Sequence, residues 1–158
     1  MSDSASSRSV RSRSVRLSAM DMLARREHSS GELRRKLVAR DYDVAEIEQT
    51  LAELRAENLL SDRRFAEAFI HARVGRGYGP ARIEAELRQR EVDEALIDAC
   101  LADCGEDWLA HAARVRARKF GRAMPEDYAQ RARQARFLQY RGFFSDTIRR
   151  LLRNDEYD

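Results

Sequence analysis

Proline occurs only twice in these 158 residues, at Pro80 and Pro125, so the commonest interruption of a helix is almost missing. Cysteine also occurs only twice. Cys100 and Cys104 stand four apart in one helical pattern, which cannot build a disulfide framework and suits buried small side chains in a reducing cytosol. Strand-type alternation is nowhere sustained, which leaves helix as the regular structure. No apolar run approaches the roughly 20 residues of a membrane-spanning helix, and no hydrophobic segment of a secretory signal is present. Lysine is confined to Lys36 and Lys119, so arginine carries nearly all the positive charge. His28, His71 and His111 are scattered, without HExxH spacing or a Ser or Cys partner, and no set of nucleophile, base and oxyanion donors can be assembled. The expectation is a non-enzymatic, cofactor-free and metal-free protein of the cytoplasm.

What the chain does contain is a repeat. Leu37, Leu87 and Leu138 are followed at the third residue by Arg40, Arg90 and Arg141, at the fourth by Asp41, Glu91 and Gly142, and at the fifth by Tyr42, Val92 and Phe143. Ile47, Ile97 and Ile148 follow, then Leu51, Leu101 and Leu152, with 50 and 51 residues between copies. Such a period in a helical chain marks stacked units, each too small to bury its apolar face alone. The expected fold is all-α, with three tandem three-helix repeats forming a stacked array. A disordered Ser/Arg-rich tail at 1–16 precedes repeats at 17–60, 61–106 and 107–153, and an acidic tail occupies 154–158. The first tail is too poor in apolar residues to fold alone, and it lacks the apolar helical face of an organelle transit peptide.

Each copy reads as three short helices. In the first, Leu17, Met20 and Leu23 or Ala24 form an apolar stripe, and Ser29 with Glu32 has capping-box spacing, a device repeated by Asp43 with Glu46. The second copy opens at Ser61 or Asp62, with Asp62 as the cap, and carries Phe65 and Phe69. Gly75, Gly77 and Gly79 then end the helix, and Pro80 suits the first position of the next. These glycines follow no strand and precede no Lys with Ser or Thr, so they do not form a phosphate loop. The third copy runs from Trp108 to Phe120, restarts at Pro125 and closes with Ile148, Leu151 and Leu152.

Charge is distributed unevenly. Residues 17–60 and 61–107 lean acidic, whereas residues 108–153 hold twelve basic side chains against three acidic ones. An excess of that size suggests contact with nucleic acid or an acidic protein. On a helical wheel Tyr128, Ala132, Ala135 and Leu138 share one face, and Arg133, Arg136, Phe137 and Tyr140 fall largely on the other. A basic stripe beside aromatics can grip phosphates while stacking on bases, or pack into an acidic groove. Alternatively, Phe137 belongs to a core and the arginines snorkel over it. The candidate contact residues are Arg114, Arg118, Arg122, Arg133, Arg136, Tyr140, Arg141 and Arg149, with a possible second edge at Arg63, Arg64 and Arg82.

Three segments carry a family likeness: NLLSDRRFAEAFI at Asn58–Ile70, GYGPARIEAEL at Gly77–Leu87 and RFLQYRGFFSDTI at Arg136–Ile148. Together with the threefold repeat they resemble the RecX family of recombinase regulators, over Leu17 to Leu152, and the resemblance implies an elongated, curved array of the three repeats. The first copy departs from the late motif, with Asp41 and Tyr42 where it has Gly142 and Phe143. The resemblance implies a bacterial cytoplasmic monomer that binds the RecA filament, meeting single- or double-stranded DNA directly or through RecA. It also implies restraint of ATPase, strand-exchange and co-protease activities, with effects on DNA repair and the SOS response. A reading of a different class is an independent helix-turn-helix-like module that binds nucleic acid alone.

Overall fold

The computed structural model describes residues 15–153. Among these are nine helices: α1 (15–25), α2 (Ser30–Ala39), α3 (Val44–Ala56), α4 (Asp62–Gly75), α5 (Pro80–Gln89), α6 (Glu94–Asp103), α7 (Trp108–Phe120), α8 (Tyr128–Arg141) and α9 (Ser145–Leu152). Among the described residues there is no strand, and no helix is long and apolar enough to cross a membrane. The acidic tail and all of the N-terminal tail except Val15 and Arg16 lie outside the described residues.

Side-chain caps set most helix starts. Ser29 Oγ accepts from the Glu32 amide at 3.0 Å and Asp43 from Glu46 at 3.3 Å, the two spacings visible in the sequence. Asp107 caps α7 through Ala110, and Asp127 caps α8 through Gln130 at 2.8 Å, so α8 starts three residues beyond Pro125. Each such cap stabilises its helix by about 1 kcal/mol. Asp62 is not the cap of its own helix. Ser61 Oγ accepts from the Arg64 amide at 3.2 Å, while Asp62 Oδ1 accepts from the Ser30 amide at 2.7 Å and so serves the start of α2. Local spacing could not distinguish these roles, because the amide that Asp62 serves is 32 residues away.

The contacts define two compact units, one running to Ala68 and including Arg88–Leu96, the other comprising Phe69–Leu87 and the chain from Ile97 on. In the first, Val15, Ala19 and Met22 of α1 pack with Leu33, Leu37, Ile47, Leu51, Leu54 and Leu60. Of the expected stripe, Leu17 and Met20 face outward, 68% and 38% exposed, whereas Leu23 packs against this core. Two stripes of similar helical spacing run along this segment, and assigning Val15 and Arg16 to the tail conceals the one that is buried. In the second unit, Ala112, Leu138, Phe143, Ile148 and Leu152 form one core cluster, with Val115, Ala135, Phe137 and Leu151 against it, and Ile70, Ile83, Leu87, Ile97 and Cys100 are buried as well. Tyr128, at the start of the expected apolar face of α8, is 81% exposed. Cys100 is buried as expected, but Cys104 is exposed, its Sγ donating to the Leu101 carbonyl at 3.0 Å.

Each unit contains one junction between consecutive repeats, built from the same positions. In the first, Ser29 Oγ donates to the Arg90 carbonyl at 2.7 Å, Arg35 donates to the Gln89 carbonyl at 2.6 Å, and Gly31 lies against Glu91. In the second, the Gly79 amide donates to the Arg141 carbonyl at 2.8 Å and the Ala81 amide to the Gly142 carbonyl at 2.9 Å. The recurring position four residues after the repeat leucine is left-handed in every copy: φ is 63° at Asp41, 60° at Glu91 and 97° at Gly142. That conformation ends the second helix of each repeat and presents the preceding carbonyl outward.

Candidate functional site

The second unit concentrates the cations. Tyr78 lies in the turn between α4 and α5, where its carbonyl accepts from His111 Nε2–H at 3.1 Å. A carbonyl can only accept, so the proton on buried His111 sits on Nε2. Around Tyr78, arginines and aromatics alternate. The Arg82 guanidinium lies 4.3 Å from the Tyr78 ring centroid and 5.6 Å from that of Tyr140. Arg141 lies 5.2 Å from Tyr78 and 5.3 Å from Phe137. Phe137 meets Phe120 edge-on at 5.3 Å, and Arg133 approaches Phe120 at 5.8 Å. Each exposed cation–π contact is worth about 0.5–1 kcal/mol, so the ladder stiffens long side chains while keeping their charge at the surface. Tyr140 ends it, 75% exposed.

Beside the ladder is a half-open cleft of about 690 Å³. Its walls carry Arg76, Arg114, Arg118, Lys119 and Arg141, over apolar Val74, Val115 and Phe137. Among the described residues Glu106 is the only carboxylate lining it, and Arg114 engages it at 3.1 Å. Arg141 is anchored by donating to the Arg76 carbonyl at 3.1 Å. One carboxylate among five cations leaves a strongly positive concavity, which favours anionic groups. Buried Arg116 ties α7 to the turn after it and to α8, donating to the carbonyls of Ala123 and Arg122 at 3.2 and 3.3 Å and to Gln134 Oε1 at 3.3 Å. Among the described residues no group of three His, Cys, Asp or Glu side chains could hold a metal ion.

The structure brings some expected residues together and leaves others apart. Arg114, Arg118 and Arg141 share the cleft; Arg82, Tyr140, Arg141 and Arg133 belong to the ladder. Arg136 is exposed on α8 outside both, and Arg122 is exposed in the turn after α7. Arg149 pairs with Asp146 and lines a separate groove with Tyr128 and Leu152. Arg63 pairs with Glu67 at 2.9 Å. Arg64 is engaged by Glu27 at 3.0 Å and Asn58 at 2.9 Å. The possible edge at Arg63, Arg64 and Arg82 is therefore divided, its first two residues belonging to the first unit and Arg82 to the ladder of the second. Sequence reasoning missed Arg76, Tyr78, Lys119 and Arg116. Tyr78 stood inside a recognised motif, but its partners His111 and Arg141 are 33 and more residues away.

Fold and site together define an all-helical protein of tandem three-helix domains with a cation-lined cleft. Models of the first, second and third three-helix domains of RecX match residues 16–54, 61–101 and 105–152. Regulatory protein RecX of Halorhodospira halophila is 49% identical, over 87% of this chain and 86% of its own. That of Pseudomonas fluorescens is 47% identical, over 91% and 93%. A crystal structure of RecX from Lactobacillus salivarius has the same fold, with a TM-score of 0.79 at 17% identity over 91% of this chain and 96% of that one. The chain belongs to the RecX family of regulatory proteins.

Proposed function

We propose that this protein binds the RecA filament on DNA and restrains its ATP hydrolysis, strand exchange and co-protease activity, thereby moderating recombinational repair and the SOS response. The five-cation cleft with its adjoining ladder carries this reading, because a filament on DNA offers phosphates and acidic protein surface to such a face. Kinship with proteins named as regulators supports it. The action needs occupancy and no chemistry: a monomer seated on the filament, in the cytoplasm and without a cofactor, blocks growth, nucleotide turnover or access of a second strand. The test is single-strand-dependent ATP hydrolysis by RecA, titrated with this protein and with an Arg114→Ala/Arg118→Ala variant of confirmed helicity. Inhibition that weakens in the folded variant is expected; an unchanged ATPase rate at saturating wild-type protein refutes the proposal.

The exposed ring of Tyr140 favours a second reading, independent binding of single-stranded nucleic acid through base stacking. Direct phosphate contact makes affinity fall with salt, by a log-log slope of about 0.7 per contact on single strands. Replacing Arg114 and Arg118 then flattens that slope by up to about 1.4 if both meet phosphate.

A further inference from the structure

The two internal junctions point to a third seat of the same kind, which no described residue fills. We propose that the exposed end of α2, from Ala39 to Asp41, docks the first turn of a helix of the recombinase partner. That helix begins with a small residue and has glycine two positions later. This assignment rests on the filament reading above.

Both occupied seats have one construction. A left-handed residue ends the second helix of a repeat, and the carbonyl before it accepts a hydrogen bond from the small residue that opens the second helix of the preceding repeat. Ser29 supplies that donor to Arg90, and Gly79 supplies it to Arg141. The close approach is complementary in volume. Where the seat carries a side chain, Glu91, the occupant has Gly31, whose Cβ would lie 2.6 Å from Glu91 Cβ. Where the seat is Gly142, the occupant has Ala81 in place of that glycine, and a Cβ on Gly142 would lie 2.4 Å from Arg82 Cβ.

The first repeat has the same left-handed residue, Asp41, with φ 63°. The arginine before it, Arg40, is exposed, whereas its counterparts in the occupied seats, Arg90 and Arg141, are half-buried. Because Asp41 has a side chain, its occupant needs glycine where the first junction uses Gly31. The C-terminal end of α2 is the negative end of its dipole and Asp41 adds charge, so the positive start of an incoming helix is favoured. The chain's own last repeat does not qualify. Gln130, Arg131 and Ala132 stand where Ser29, Ser30 and Gly31 stand in the first repeat. Ala132 brings a Cβ to the position of Gly31, where an added Cβ would already lie 2.6 Å from Glu91 Cβ, so the last repeat does not enter a side-chain-bearing seat of this geometry. A second copy therefore does not fill the site by head-to-tail stacking.

The probe is RecA assembled on single-stranded DNA. Two variants obstruct the seat independently, Asp41→Trp and Ala39→Trp, the latter at an exposed helical position; Asp41→Gly preserves it. Loss of the two or so hydrogen bonds of a seat predicts about tenfold weaker ATPase inhibition by each tryptophan variant and no loss with Asp41→Gly, all with wild-type helicity. A photo-crosslinker at Val38 should map to the first turn of a RecA helix containing glycine. Tryptophan variants that inhibit like an active wild type overturn the seat alone. Crosslinks confined to residues 1–14, or to a second copy, overturn the choice of occupant. An inert wild type overturns the filament reading and this assignment with it.

Discussion

Replacing three glycines of the second unit by alanine separates backbone strain from steric interlock. Gly77 has φ 83° but its nearest neighbour to an added Cβ is a Val115 methyl at 3.4 Å, so Gly77→Ala meets strain alone, about 1–2 kcal/mol. Gly79 is not left-handed, yet an added Cβ would lie 2.5 Å from the Gly142 oxygen and 2.7 Å from the Phe143 nitrogen. Backbone atoms cannot rotate aside as a side chain can. The change must push apart segments joined by hydrogen bonds of 2.8 and 2.9 Å, and losing both costs about 2–3 kcal/mol. Gly142→Ala incurs both effects, with φ 97° and Arg82 Cβ at 2.4 Å, for about 3–5 kcal/mol. Gly105→Ala is the strain-only control, with φ 70° and nothing near the added Cβ. Urea unfolding followed by circular dichroism at 222 nm gives the ranking. A Gly79→Ala protein as stable as wild type would refute the interlock and, with it, the template for the empty seat.

Further outcomes follow from other buried groups. Arg116→Leu leaves three oxygens without their donor and should destabilise the protein by about 3 kcal/mol, with faster proteolysis within residues 121–127, read by limited digestion. Burial holds the His28 pKa below its ordinary 6.5, with nearby Arg26 and Lys36 acting in the same direction against a raising bond to the Arg26 carbonyl. Neutral His28 accepts from Lys36 Nζ at 3.1 Å through Nε2 and donates through Nδ1 to that carbonyl at 3.0 Å. The unfolded chain therefore takes up the proton first: this contribution is complete above pH of about 6.5 and is lost as pH falls toward the folded value. Urea unfolding across that range should show a shallower loss of stability in His28→Gln than in wild type. Cys104 should react with a thiol reagent in the native state and Cys100 only on unfolding, so two equally fast thiols would contradict the packing of α6.

The helical class, the repeat and the caps at Ser29 and Asp43 were legible because each depends on residues three or four apart or on a fixed period. The phase of α1 was not. Val15 reads as belonging to a polar segment until Leu33 and Leu37 are seen to pack with it. Asp62 satisfied every local criterion for a cap and was recruited by Ser30 instead, a tertiary override of local preference. The arginine excess located the basic unit, but not its selection among arginines. Arg141 was drawn into the ladder and cleft by Tyr78 and the Arg76 carbonyl, while Arg64 was taken up by Glu27. Those choices depend on partners tens of residues away, which no spacing rule encodes.

The boundary between Ala68 and Phe69 falls inside α4, so the copied segment and the packed unit are out of phase. A cut at residue 60 or 106, clean on paper, would strip Ser29 of its Arg90 acceptor or Gly79 of its Arg141 acceptor. The middle repeat is thus shared property: each of its helices contributes to both units, and excising it as a module would leave its neighbours with unanswered donors.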